Sequence, residues 1–590
     1  MTPMAADACL QSDESGGVSR DAGKIPFPEA MRQEPPHAGS PGCLWDNAGS
    51  ISNLRQSVPF LFFFNSDRNG FRQEIHQASS SRLRAQPPGR RPADRQKAAL
   101  ADLQAQFSLS QETQESLVLS FVRELKLGLA KDNQAMHMIP TYFILTLVDS
   151  IVNANFHYIV VMMRERTFHS RSQPSFHLHF LCSGIPTGEE RGTYLALEVA
   201  GTEVRVAQLK LKGGRGQFSI HEIQYSIPDE LNSGDDFGVL IDYITDCIDD
   251  FLTRVGSQDL FVYSMGVSFG CALRQGSLRQ AKIIELPLEY SYPDAAGKDV
   301  VKLLHDSIEK KGLAVRVTAM ANDSVCALLA QAYQAPTTTM GVLHGMGTNC
   351  AYVERLSNIS KFKHDYDLSP DETMIVNTEW GSFDNERCRL PLTWFDRRCD
   401  RESVNPHYQI FEKMTSAKYL GEITRLVLLY LVDCGLLFGA SSSQILNTCY
   451  TFDTTFMFAC EADDSEDLRQ VGIVLEKLMK IRNVTLADRQ IVKKVCQIVG
   501  SRSAVLVATA MAGVIRQMAV DGIGIGEQGI TIATSGDLHE LYPSFQARLC
   551  DALKTLVGEE LAPRITVVIV RSSRLVGSAI VAMMAENDMT

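Results

Sequence analysis

The stretch L-E-V-A-G-T-E-V-R-V, residues 197–206, decides how this chain of 590 residues folds. Side chains alternate over residues 194–199 and 204–211, which predicts two paired strands. Ala200-Gly201-Thr202 between them predicts a tight turn. Such a turn places backbone N–H groups where they can hold a phosphate, although a hairpin glycine most often serves only the geometry of the turn.

Outward from this hairpin, helices and strands alternate, which predicts an α/β protein. Further strands are predicted at 261–268, 314–319, 530–534 and 565–571, with a second glycine-bearing hairpin at 341–354. Helices are predicted at 236–255, 298–311, from Asp323, 410–434, 464–479, 486–520, 542–557 and after Val576. Apolar residues at helical spacing also predict helices from Ala98 onward.

Four motifs follow the first hairpin in order. They are N-D-S-V-C-A-L-L-A (322–330), G-M-G-T-N (345–349), N-T-E-W-G-S-F (377–383) and E-K-M-T-S-A-K-Y-L-G-E (412–422). Each glycine hairpin alone is a weak signal. The order of hairpin, strand, Asn-Asp at a helix start and second hairpin is specific.

These residues resemble the hexokinase family. The family's Leu-Asp-Leu-Gly-Gly-Thr-Asn-x-Arg-Val segment matches 197–206. Its Asn-Asp-Thr-Val segment matches the motif that begins at Asn322, its Gly-Thr-Gly-Ser/Thr-Asn segment matches 345–349, and its Asn-x-Glu-Trp-Gly-x-Phe segment matches 377–383. The resemblance covers about 98–142 and 185–587. It implies an α/β, two-lobed actin-like ATPase fold (ribonuclease H-like) with an interlobe cleft.

The resemblance also implies a site. Transfer of a γ-phosphoryl group to a sugar hydroxyl needs a base beside the attacking oxygen and donors around the phosphate, with Mg-ATP as the cofactor of an active enzyme. The implied base is Asp323, and the implied sugar ligands are Asn322, Asn349, Glu379 and Glu412. Phosphate contacts are implied for Gly201, Thr202, Arg205, Gly345, Gly347, Thr348 and Gly536. A purely structural role for these buried acids and amides is the alternative.

Several family positions are altered. On the phosphate side the family's Asp, first paired Gly and Asn become Glu198, Ala200 and Glu203, and two Thr positions become Met346 and Asp537. On the sugar side, Ser, Thr and Lys become Gly270, Pro287 and Leu288. The last glycine-rich loop reads S-S-R-L-V-G (572–577) and has lost most of its glycines. These changes predict impaired phosphoryl transfer.

Three functional hypotheses follow. The first is a non-catalytic regulator similar to the atypical hexokinases of filamentous fungi, which are proposed to control responses to carbon starvation, including extracellular protease production. Protein partners are then expected, with a hexose-type sugar as a possible ligand. The second is an active kinase for a hexose or an N-acetylhexosamine, for which Gly270 leaves room. The third is a scaffold without a ligand.

The predicted organisation, by segment, is a disordered N-terminal extension (1–97), large-lobe helices (98–142), an irregular insertion or gene-model artefact (143–184), a small lobe (185–321), a large lobe (322–570) and a C-terminal helix returning to the small lobe (571–590). The basic run at 81–97 is a nuclear-import patch or a solvated linker. No metal site is predicted, because His177 and His179 lack further ligands at fitting spacing.

Bulk properties narrow the classes of function. The net charge of −12 does not favour direct nucleic-acid binding. Fourteen scattered cysteines, no signal peptide and no apolar run fit to span a membrane predict an intracellular protein, cytoplasmic or nuclear.

Overall fold

A computed structural model describes residues 92–145, 182–183, 185–256, 261–286, 290–361, 372–520, 522–523 and 529–587. Residues 1–91, most of the predicted insertion at 143–184, and the pairs His177/His179 and Pro287/Leu288 lie outside the described residues. The predictions made for them therefore stay predictions.

The strands, in chain order, are β1 (Ile139–Leu145), β2 (Cys182–Ser183), β3 (Arg191–Ala200), β4 (Glu203–Gly213), β5 (Gln217–Ser226), β6 (Tyr263–Phe269), β7 (Ala272–Ser277), β8 (Gln280–Glu285), β9 (Val315–Ala321), β10 (Thr338–His344), β11 (Thr348–Arg355), β12 (Thr373–Asn377), β13 (Ile530–Ser535) and β14 (Ile565–Ile569).

The helices are α1 (Pro92–Phe107), α2 (Gln111–Ala130), α3 (Gly238–Val255), α4 (Val300–Lys311), α5 (Asp323–Ala332), α6 (Trp394–Glu402), α7 (Ile410–Thr415), α8 (Ala417–Asp433), α9 (Gln444–Asn447), α10 (Thr454–Ala462), α11 (Arg469–Ile473), α12 (Leu486–Val520), α13 (Asp537–Glu540), α14 (Phe545–Val557) and α15 (Ser573–Asn587).

A five-stranded sheet of order β5-β4-β3-β6-β9 is built around β3. β3 pairs antiparallel with β4 and parallel with β6. Its side chains alternate between two cores: Leu195, Leu197 and Val199 pack with residues of α3 and α4, whereas Tyr194 and Ala196 face the core that contains α15. Since strand side chains alternate, Glu198 lies on the α15 face of this sheet.

A seven-stranded sheet has the order β14-β13-β10-β11-β12-β1-β2. Strands β10, β13 and β14 are parallel to one another, and β11 and β12 continue the sheet antiparallel. Helices α2 and α12 pack together beside it. The sheet carries the second glycine hairpin at the β10–β11 turn and the Asn377 end of β12.

Helices α5 and α15 join the two sheets. Helix α5 begins directly after β9 and packs on β10, and α15 packs on α5, β3 and β6. Two glycines permit this close packing: a Cβ at Gly341 would lie 2.3 Å from the Ser324 carbonyl oxygen, and one at Gly577 would lie 2.3 Å from that of Cys326. The start of α15 is thereby held beside the start of α5.

Several predicted boundaries were wrong. Helix α1 begins at Pro92, so the last residues of the predicted disordered extension 1–97 are helical, with proline at the helix start where its missing N–H costs nothing. The irregular segment predicted at 143–184 begins in β1 and ends beside β2, and Phe143 pairs with Cys182. The helix predicted over 410–434 is broken at Ser416, whose backbone is extended.

Helix α12 is long and apolar enough to cross a membrane, but 89% of its most apolar stretch is buried inside the protein. Buried residues lie on every side of this helix, as expected for one at the centre of a large core. Among the described residues it is the single helix of this kind.

Candidate active site

The start of α5 positions the predicted base. Asn322 is the N-cap of the helix, and its side-chain oxygen accepts a hydrogen bond from the Ser324 backbone N–H at 2.9 Å. Asp323 follows as the first helical residue and is buried. Its Oδ1 accepts a short hydrogen bond from the Ser268 hydroxyl at the end of β6. The cap explains why an Asn-Asp pair marks this helix start.

Asn349 is the centre of the predicted sugar-ligand cluster. Its Nδ2 lies 3.3 Å from Asn322 Oδ1, 2.9 Å from Asn377 Oδ1 and 3.1 Å from Glu379 Oε1. Asn377 also donates to Glu379 Oε1 at 2.8 Å. The fold therefore brings together Asn322 at the start of α5, Asn349 in β11 and Glu379 just after β12, as the resemblance implies.

The backbone of Glu379 is left-handed, with φ of 54°. A non-glycine residue in this region stores roughly 1–3 kcal/mol of strain and needs surrounding contacts to hold it. Here the Glu379 N–H donates to Asn349 Oδ1 at 3.1 Å. The side chain of Trp380 is fully buried and its indole N–H donates to Thr348 Oγ1 at 2.9 Å. These contacts fix the Glu379 carboxylate beside the amide cluster.

Glu412, in α7, lies under the second glycine loop. Its Oε2 accepts a hydrogen bond from the Thr348 backbone N–H at 3.1 Å. A Cβ at Gly347 would lie 3.0 Å from this same oxygen, so the glycine admits the carboxyl group. Desolvation raises the pKa of Glu412 to about 7, with the charge of Glu379 adding to the rise.

The first glycine hairpin forms as predicted. Ala200 pairs with Glu203 across a two-residue turn, and of these residues Gly201 alone has a positive φ, at 56°. Ala200 therefore meets no backbone strain from a left-handed conformation. The Thr202 carbonyl accepts a hydrogen bond from Ile227 N–H at 2.8 Å.

The second phosphate loop, Gly345-Met346-Gly347, lies beside Gly536 and Asp537. A Cβ at Gly345 would be 3.5 Å from the Asp537 backbone nitrogen, and one at Gly536 would be 2.5 Å from the His344 carbonyl oxygen. Met346 is 61% exposed and Asp537 is also exposed. The loop therefore presents a thioether, and the neighbouring Asp537 a carboxylate, at two positions where the family carries threonine hydroxyls.

A bridge of charges joins the phosphate side to the base. Arg205 donates to Glu198 Oε1 at 2.8 Å, and Arg574 donates to the same oxygen at 3.0 Å. The Arg574 Nε lies 2.8 Å from Asp323 Oδ2. Ser268 and Arg574 were missed from the sequence, although Arg574 stands in the altered S-S-R-L-V-G segment. This segment was predicted to be a loop, but from Ser573 onward it forms the start of α15.

The small-lobe position Gly270 faces the first hairpin. A Cβ there would lie 3.2 Å from the Val199 carbonyl oxygen and 3.5 Å from Ala200 Cα. The backbone of β3 therefore already bounds the space that a side chain would enter. Desolvation raises the pKa of the neighbouring Cys271 thiol, and the charges of Asp323 and Glu379 add to this rise.

Fold and site together define a class: a two-lobed protein of the sugar-kinase type. Two family models described as hexokinase match residues 159–333 and 339–584. Hexokinase-1 of Schizosaccharomyces pombe is 30% identical over 484 residues, which span 82% of this chain and 90% of that protein. The chain belongs to the hexokinase family.

Two further sugar kinases are similar to this chain. The glucokinase of Aspergillus niger is 30% identical over 80% of this chain and 94% of its own length. The solved structure of hexokinase from Schistosoma mansoni, complexed with glucose, is 26% identical, has a TM-score of 0.68 and covers 83% of this chain and 99% of that one. The predicted two-lobed, actin-like α/β fold is confirmed.

Proposed function

We propose that this protein is a hexokinase-like regulator with impaired phosphoryl transfer, which recognises a hexose-type sugar in its cleft. Its role is control of the response to carbon starvation, including extracellular protease production, through protein partners inside the cell, in the cytoplasm or nucleus. The regulatory part rests on the resemblance to atypical fungal hexokinases.

The observation that carries the proposal is the contrast between the two sides of the cleft. On the sugar side, Asn322, Asn349 and Glu379 form one hydrogen-bonded cluster beside Asp323. Such a set of convergent amides and carboxylates suits the hydroxyl groups of a sugar. On the phosphate side, the Met346 side chain offers no hydrogen-bond donor to a nucleotide.

Mg-ATP fits this phosphate side poorly. The exposed carboxylate of Asp537 stands beside the second loop, and Glu203 follows the first turn, so both would repel a polyanion. The carboxylates of Glu198 and Asp323 already have Arg574 as their cation. The enzymes of the family obtain their phosphoryl group from Mg-ATP, and the residues here do not favour that cofactor.

The second candidate is an active ATP-dependent kinase that phosphorylates the 6-hydroxyl of a hexose or an N-acetylhexosamine. The preserved base position favours it, because Asp323 is buried at the junction of the sheets and faces Ser268. The extra room expected at Gly270 does not support it, since the backbone of β3 bounds that space.

An assay of ATP consumption with a panel of hexoses and N-acetylhexosamines separates the two candidates. We expect no sugar-dependent turnover, together with a rise in thermal midpoint on adding one of the sugars, because a ligand that binds the native state stabilises it. The variant Glu379→Gln should lose the midpoint rise, and Glu466→Gln, on an exposed loop, should keep it. Turnover at the rate of an ordinary sugar kinase would disprove the proposal.

A genetic test addresses regulation. We expect deletion of the gene in the source organism to change extracellular protease production under carbon starvation. A copy carrying Asp323→Asn should restore the normal response, because the proposed role needs no base. Restoration by the original gene but not by Asp323→Asn would favour the kinase.

A further inference from the structure

The Arg574 guanidinium lies between two carboxylates that come from different parts of the chain. Glu198 belongs to β3 of the five-stranded sheet, Asp323 begins α5, and Arg574 is the second residue of α15. One guanidinium nitrogen donates to Glu198 Oε1 at 3.0 Å and another lies 2.8 Å from Asp323 Oδ2. This contact spans 376 residues of sequence between Glu198 and Arg574.

The two carboxylates share this cation, and Glu198 has Arg205 as a second partner. The Glu198 side chain is 2% exposed, and its Oε2 finds no hydrogen-bond donor among the residues that the structure describes. Burial raises the pKa of Glu198, and the charges of Arg574 and Arg205 oppose that rise. Two neighbouring carboxylates with little access to water need a counter-ion, which is either a bound cation or a cationic side chain.

The charge on Arg574 is permanent. Asp323, and after it Glu198, raise the pKa of the guanidinium further above its already high value. A planar guanidinium with several donors can satisfy two carboxylates at once, in the way that a divalent cation bridges oxygen ligands. Arg574 lies in the first turn of α15, within the 572–577 segment that has lost most of the glycines of the family.

We propose that Arg574 is a built-in counter-cation that takes the place of a divalent metal ion between Glu198 and Asp323, and so makes this site independent of Mg²⁺. The bridge also ties α15 and β3 to the base. Both oxygens of Asp323 are then engaged, one by Ser268 and one by Arg574. This inference goes beyond the proposed function, because it concerns metal exclusion and holds whichever sugar the cleft takes.

The test is titration of the purified full-length protein with MgCl₂ alone, followed by calorimetry and by the thermal midpoint. The variant Arg574→Met keeps the side-chain stem but removes the cation. We expect it to bind Mg²⁺ saturably, with a midpoint rise of roughly 2–4 °C, whereas the wild type shows no saturable binding. Neither sugar nor ATP is present, so failure here is distinguishable from failure of the proposed function.

Three further variants sharpen the result. Arg571→Met is the matched control, since Arg571 is 84% exposed and its replacement removes the same charge from the same part of the chain. It should behave as the wild type, and Arg574→Met combined with Asp323→Asn should lose the gained binding.

If Arg574→Met does not fold, Arg574→Lys decides: a folded lysine variant that excludes Mg²⁺ supports the proposal. Saturable Mg²⁺ binding by the wild type or by Arg574→Lys, or equal behaviour of Arg574→Met and Arg571→Met, overturns it.

Discussion

Replacing Glu412 by glutamine should make the stability of the protein less dependent on pH. The pKa of this carboxyl rises from 4.5 to about 7 in the folded state, chiefly through desolvation. Between these two values the folded protein holds a proton that the unfolded chain has released. Stability therefore falls as the pH rises through this window, and the loss is complete above about pH 7.

The expected change in the free energy of unfolding follows from the pKa shift of Glu412. One pKa unit corresponds to about 1.4 kcal/mol, so the ionisation of Glu412 lowers the free energy of unfolding by about 3 kcal/mol across the window. This is an upper limit, because Glu412 keeps partial contact with solvent. A neutral glutamine can still accept the hydrogen bond from the Thr348 N–H, so Glu412→Gln removes the titration with little change in packing.

Urea unfolding from about pH 5 to about pH 8, followed by far-UV circular dichroism, measures this dependence. The free energy of unfolding of the wild type, relative to that of Glu412→Gln, should fall by up to about 3 kcal/mol from the acid end to the alkaline end. The exposed variant Glu466→Gln should follow the wild type throughout. A constant difference between wild type and Glu412→Gln at every pH would refute the reasoning.

Two further substitutions test buried contacts, one in the large core and one beside the start of α5. Arg502→Met leaves the buried Asp396 without its bidentate partner, whose nitrogens lie 2.6 and 2.7 Å from the carboxylate oxygens; we expect a loss of about 3–5 kcal/mol in urea unfolding. Arg398→Met, which breaks the partly exposed ion pair with Glu402, should lower the free energy of unfolding by at most about 1 kcal/mol. An equal loss for Arg502→Met and Arg398→Met would contradict this expectation. Gly341→Ala places a Cβ 2.3 Å from the Ser324 carbonyl oxygen. It should destabilise the protein by roughly 1–3 kcal/mol and weaken sugar binding through α5; an unchanged thermal midpoint would count against the close packing.

Much of the fold could be predicted because the deciding signals are local. The hairpin at 197–206, the cap at Asn322 and the second glycine loop each depend on residues within a few positions of one another. The strands β5, β7, β8 and β12 were missed. They belong to three different sheets, where β5 pairs with β4, β12 with β11 and β1, and β7 with β8, so each depends on a partner strand that its own sequence does not name.

The sequence by itself determined the family, the order of the motifs and the chemical identity of the altered positions. It also indicated that Asn322, Asn349 and Glu379 would meet, through a resemblance in which each motif is short and contiguous. Only the tertiary structure placed Arg574 against Glu198 and Asp323, because that contact joins residues 376 positions apart and depends on α15 packing on both α5 and β3. The partner of a charged residue cannot be read from the sequence when the two residues meet only through tertiary packing. For this reason the loss of glycines at 572–577 indicated only damage to a nucleotide loop, whereas in the folded chain this segment begins α15 and its Arg574 bridges the two carboxylates.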